Sequence, residues 1–174
     1  MALVVFLRAV NLGPHHRLSV AQVARDLAKY DVVNIGAAGT FVVRKSVSAA
    51  AFKAALDDCL PFEVETMICP AGEIQDLAAS GVFDGPPAEG VQRFLTVLAR
   101  KPNAPVHLPL RHPDDHRWET QVVRAQGRYV CVLTRRLGPH PVNSNILIEK
   151  RLGLSATTRN WNTVVRVIKA LEKQ

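Results

Sequence analysis

The spacing of apolar residues changes period several times along this chain, and each change marks an element. Residues 2–9 form a nearly continuous apolar run, the pattern of a central strand buried on both faces. The loop Asn11-Leu12-Gly13-Pro14-His15-His16-Arg17 follows. Ser19 and Gln22 then stand at capping-box spacing, and Leu18 and Val23 at the positions of a hydrophobic staple. Val20, Val23, Ala24, Leu27 and Ala28 make one stripe at helical period. Residues 32–35 and 40–43 read as strands around the small turn Gly36-Ala37-Ala38-Gly39. Ser48 caps a second helix in which Phe52, Leu56 and Cys59 share a face. Phe62, Val64 and Ile68 alternate with Glu63 and Glu65, which predicts a half-exposed fourth strand. Residues 1–70 thus spell β-α-β-β-α-β, a ferredoxin-like split βαβ pattern, with the first and third strands central and the second and fourth at the edges.

Residues 71–174 are less regular. A helix is expected over 71–79, a loop over 81–87 and a strand over 94–99. Residues 101–117 carry four prolines and read as a long connection. Residues 120–125 and 129–134 predict a hairpin around Gln126-Gly127. Two helices close the chain. The first spans residues 144–152 and stops at Gly153, the usual C-terminal glycine. The second opens on the polar cluster Ala156-Thr157-Thr158-Arg159-Asn160-Trp161-Asn162-Thr163-Val164 and is expected to bury Trp161, Val164, Val165, Ile168 and Leu171. The predicted class is α+β: a ferredoxin-like N-terminal half, 1–70, joined to a smaller α+β half, 71–174, that ends in two helices. Leu12-Gly13-Pro14-His15 and Leu137-Gly138-Pro139-His140 echo one another, each between a strand and a helix.

Candidate chemistry concentrates in two places. A loop that leads from a strand into a helix presents free backbone N–H groups and the positive end of the helix dipole, so it favours anions. Arg8, Asn11, Gly13 and Arg17 belong to such a loop, and Arg159, Asn160 and Asn162 to the expected start of the last helix. Arginine suits phosphate or carboxylate because its planar fork donates two parallel charge-assisted hydrogen bonds. The competing reading makes these asparagines helix caps and Trp161 a core residue.

Three further motifs carry less. Gly39-Thr40-Phe41-Val42-Val43 resembles the aromatic strand of an RNA-recognition module, but only 6% of residues are aromatic, so core strand is the better reading. His112-Pro113-Asp114-Asp115-His116 has metal-ligand residue types, yet the proline breaks the helical spacing they need and leaves a solvated loop. Cys69 precedes a helix without an evident base and reads as a buried strand-end cysteine. The chain has no Walker loop, nucleophile elbow or dinucleotide fingerprint. No catalytic residue, metal or cofactor is predicted.

Charge then shapes the choice of partner. The 174 residues carry a formal +7 and a pI near 9.8, which favours a phosphate-bearing small molecule or nucleic acid, although from charge alone a basic surface with no special partner is the better reading. No apolar run approaches the roughly 20 residues that span a bilayer, and the N-terminus lacks the basic n-region of a signal peptide. Three cysteines without a C-x-x-C pair fit a reducing cytoplasm. The sequence therefore predicts a cytoplasmic, non-catalytic binding module. The alternative is a protein-interaction or oligomerisation module built on exposed strand edges.

The closing Ala156 to Val164 cluster, with Ser144-Asn145, Ile148-Glu149 and Leu152-Gly153 before it, is similar to the bacterial family called domain of unknown function 1697. Arg8-Ala9-Val10-Asn11-Leu12-Gly13 resembles that family's Arg-Gly-Ile-Asn-x-Gly opening, with Ala9 in place of the glycine, and Arg17 stands where the family usually has lysine. The chain departs from the pattern at Ala38-Gly39-Thr40, at Ile35 and at Gly138-Pro139-His140. The resemblance implies a ferredoxin-like N-terminal part joined to a second α+β part. It implies no activity.

Overall fold

A computed structural model of the chain describes residues 1–8 and 18–173. The protein is α+β, with five α-helices and two antiparallel sheets among the described residues. It divides into two compact units, Met1–Ala79 with Asn162–Gln174, and Ser80–Trp161.

In the first unit, β1 (Leu3–Leu7) pairs antiparallel with β3 (Thr40–Val43) and with β4 (Thr66–Pro70), and β2 (Val32–Asn34) borders β3. The order is β2-β3-β1-β4. Residues of β1 and β3 are buried on both faces, as their unbroken apolar runs require. One face packs Leu3, Val5, Leu7, Phe41 and Val43 against α1 (Val20–Asp26) and α2 (Ala49–Cys59), with Val23, Phe52 and Leu56 between them. Both helix starts are capped by serine, the Ser19 hydroxyl accepting from Gln22 N–H and the Ser48 hydroxyl from Ala51 N–H. The capping box expected at Ser19 forms only in that half, because the Gln22 side chain donates to Asp26 and accepts from Arg25 instead. At the tight turn before β3, Gly39 adopts φ +70, and a Cβ there would lie 2.8 Å from Leu7 Cβ.

The fourth strand begins later than its alternation suggested. β1 offers pairing partners only to Thr66–Pro70, so Phe62 and Val64 precede the strand and pack on the core from a loop. Met67 and Cys69 are its buried residues.

Two helices that sequence reading assigned to the second half group with the first unit. In α3 (Ala71–Ala79), Ala71 N–H donates to Ala2 O at 3.0 Å. In α5 (Trp161–Glu172), Arg166 approaches Gly36, and Arg44 donates to the carbonyl of Lys173 just beyond the helix. The α5 core stripe is Val164, Val167, Ala170 and Leu171. Val165, expected inside, is 39% exposed.

The second unit is one sheet, β6-β7-β8-β5-β9, with every neighbouring pair antiparallel. Its strands are β5 (Val91–Leu98), β6 (Leu110–His112), β7 (Thr120–Gln126), β8 (Tyr129–Arg135) and β9 (Ala156–Asn160). β6 lies inside the connection whose prolines masked it. The hairpin at Gln126-Gly127 forms as predicted, with Gly127 at φ +59. The helix α4 (Ser144–Leu152) keeps its predicted bounds: Asn143 caps its start and Gly153, at φ +63, ends it. Ile148 of α4 packs on Leu98, Val122, Val130, Val132 and Ala156.

The cluster expected to open the last helix is instead strand β9, and the helix starts at Trp161. Leu98↔Ala156 through Phe94↔Asn160 is a full ladder with β5. Two consecutive threonines favour it, because β-branched side chains lose less freedom on a strand than on a helix.

Candidate functional site

Of the sequence-predicted donors, Arg159 and Asn160 lie on strand β9 rather than at a helix start. Asn11, Gly13 and Arg17, with the rest of the loop 9–17, lie outside the described residues. Arg8 follows β1. Its N–H donates to Glu65 O at 2.9 Å, and its guanidinium lies 3.3 Å from the Glu65 carboxylate. Asn162 is exposed in the first turn of α5. Arg159 and Asn160 are neighbours on a strand, so they point to opposite faces: Arg159 stands opposite Leu95 and Asn160 opposite Phe94.

Arg159 is the unusual member. It is 8% exposed, and one Nη donates to Thr157 Oγ1 at 2.7 Å and to Thr158 O at 3.0 Å. Burial lowers its pKa to about 10, because the charged form loses hydration.

Register gives this face of the second sheet a chemical pattern. Residues directly opposite on antiparallel strands share a face. One rung runs Arg111, Gln121, Leu133, Arg93, and the next runs Arg124, Cys131, Leu95, Arg159. Arginines therefore end both rungs. Arg135 joins the same face beside Val91. In the middle, Leu95 and Cys131 are fully buried, and burial pushes the Cys131 thiol up to about 12. The Arg111 Nε is buried with no hydrogen-bond partner among the described residues.

The arginines of this unit bond chiefly to main-chain carbonyls. Arg93 donates to Phe83 O at 2.9 Å and Gly85 O at 2.6 Å and lies over the Phe83 ring, which meets Trp161 edge-on at 4.8 Å. Arg135 donates to Trp118 O at 2.6 Å and to His116 O, and sits 4.3 Å from the Trp118 ring centroid. Arg128 holds Leu98 O, and Arg136 holds Gly138 O. Among the described residues, the ion pairs Arg8–Glu65, Arg44–Asp31 and Lys53–Asp57 belong to the first unit.

The charge is correspondingly lopsided. Residues 80–161 contain twelve lysines and arginines against six acidic residues, so six of the chain's seven net positive charges sit in that unit. This asymmetry was countable in the sequence, but only the structure draws the boundary that reveals it.

The weaker motifs resolve structurally. Thr40, Phe41, Val42 and Val43 are all fully buried, so β3 presents no stacking surface. His112 and His116 are exposed. Among the described residues no cluster of three or more His, Cys, Asp or Glu is placed to hold a metal. Cys69 is buried at the end of β4.

No protein-family model, curated protein or solved structure significantly matches the chain.

Proposed function

We propose that this protein is a non-catalytic binding module whose partner carries phosphate, either a small phosphate-bearing molecule or a nucleic acid. The observation that carries the reading is the concentration of positive charge in the second unit, whose arginines are held by neutral carbonyls. A guanidinium bonded to a carbonyl keeps its full charge, whereas one paired with a carboxylate is neutralised for a distant anion. Among the described residues no helix is long and apolar enough to cross a membrane. The free Cys59, Cys69 and Cys131 support a reducing, cytoplasmic setting.

Two finer readings belong with it. We infer a ferredoxin-like arrangement for the first unit, supported by β1 and β3 inside the sheet and β2 and β4 at its edges. Membership of the bacterial domain of unknown function 1697 family rests on the residues of β9 and the start of α5. The interaction-module alternative has less support, because the edges are poor templates. β2 and β6 have three residues each, β4 ends in Pro70, and the Ala156 N–H of β9 donates to Glu149 at 2.7 Å.

The test is a thermal-shift panel of nucleotides, phosphorylated metabolites and short RNA and DNA at low and high salt. A ligand at about 100 times its Kd adds about 2.7 kcal/mol. A hit whose affinity falls with salt supports the reading. A flat panel overturns it.

A further inference from the structure

We propose that a cleft in the second unit, under the connection from β5 to β6, binds a small molecule that joins a phosphate or carboxylate group to an apolar body. The proposal rests on the binding role given above and names a site and ligand class for it. The cleft has a volume of about 440 Å³, within the range of roughly 300–1,000 Å³ typical of small-molecule sites.

Its walls divide by chemistry. Leu110, Leu152 and Leu154 form an apolar floor continuous with the core under α4. Arg100, Arg151 and His107 supply the polar rim, and no acidic residue lines the cleft. Arg100 is oriented by its own loop, since one Nη donates to Asn103 Oδ1 at 2.8 Å. That leaves the rest of its fork for a ligand. Arg151 and His107 make no hydrogen bond or ion pair with the described residues, so their donors are uncommitted.

One feature opposes an anion here. Arg151 and Leu152 end α4, whose C-terminus carries roughly half a negative charge. Two full positive charges on Arg100 and Arg151 outweigh it. The apolar floor explains why a bare ion would be a poor fit. The lining contains no Phe, Tyr or Trp on which bases stack, which favours a small molecule over a single-stranded nucleic acid. The lining also lacks a carboxylate or thiolate, so it does not suit a cation.

The experiment titrates the full chain with phenyl phosphate, benzoate, inorganic phosphate and a short single-stranded DNA by calorimetry at low and moderate salt. Phenyl phosphate or benzoate is expected to saturate one site, the better of the two identifying the anionic group. Inorganic phosphate should bind at least about tenfold more weakly, because it forgoes the floor. Arg100→Gln and Arg151→Gln should each weaken the organic anion by about tenfold or more. Both side chains are exposed, so circular dichroism and melting should be unchanged. Equal binding by inorganic phosphate overturns the ligand class. Organic-anion binding that ignores both substitutions overturns the site while leaving the broader reading standing. DNA binding alone overturns the small-ligand assignment, and a protein that binds none of the probes overturns both.

Discussion

Replacing Arg159 by methionine should cost far less stability than replacing it by alanine. The guanidinium is 8% exposed, and burial carries its pKa well below the usual arginine range, to about 10. At about 1.4 kcal/mol per pH unit, holding that charge inside costs on the order of 3 kcal/mol. Against this stand its bonds to Thr157 Oγ1 and Thr158 O, each contributing about 1.5–3 kcal/mol with a charged donor. The opposing contributions overlap in size, so removing both leaves a net change of at most about 3 kcal/mol, and buried charges exchanged for apolar groups of like volume are often neutral. Alanine removes the same contributions and also the aliphatic stem, which opens a cavity. Methionine to alanine in a core costs about 2–5 kcal/mol. Urea unfolding followed by circular dichroism at pH 7 should therefore rank wild type and Arg159→Met close together and Arg159→Ala at least about 2 kcal/mol lower. In melting temperature that gap is about 4 °C or more for a domain of this size. If methionine falls as far as alanine, the hydrogen bonds decide the site and the burial argument is refuted.

Gly39→Ala should destabilise more than Gly85→Ala. Both glycines have positive φ, but a Cβ at position 39 meets Leu7 at 2.8 Å whereas one at position 85 meets nothing within 4 Å. Left-handed backbone alone costs about 1–2 kcal/mol, so equal urea midpoints for the two variants would remove the steric part of the argument. Stability should also fall at alkaline pH through Cys131. Its thiol moves from 9.0 to about 12 on folding, so the unfolded chain releases this proton first. The contribution is complete below pH 9 and is lost toward pH 12, at up to about 1.4 kcal/mol per pH unit. Arg159 acts with the opposite sign, and its effect grows only above about pH 10. The Cys59 thiol is also raised and adds in the same direction, so Cys131→Ala should reduce, not abolish, the fall in urea midpoint between pH 8.5 and 10. An unchanged pH dependence in that variant would place the effect elsewhere.

What the sequence determined by itself was local. Ser19, Ser48 and Asn143 cap helices because a short side chain bonds an N–H three residues ahead. Gly127 and Gly153 turn the chain where positive φ is required, and continuous apolar runs at β1 and β3 declare strands buried on both faces. These features depend only on neighbours along the chain. What the tertiary structure decided was whatever depends on a distant partner. Residues 156–160 carry polar groups compatible with a helix start, and their pairing with β5, about sixty residues earlier, makes them a strand. The late start of β4 follows from where β1 ends. The sequence singled out Arg159 by its company with Asn160 and Trp161, but strand geometry sends Arg159 and Asn160 to opposite faces. Arg100, His107 and Arg151 gave no motif at all, since they are separated by up to fifty residues and meet only when the β5–β6 connection lies over the end of α4. Periodicity reports which residues are buried, whereas a cleft between segments far apart in the chain leaves no period to read.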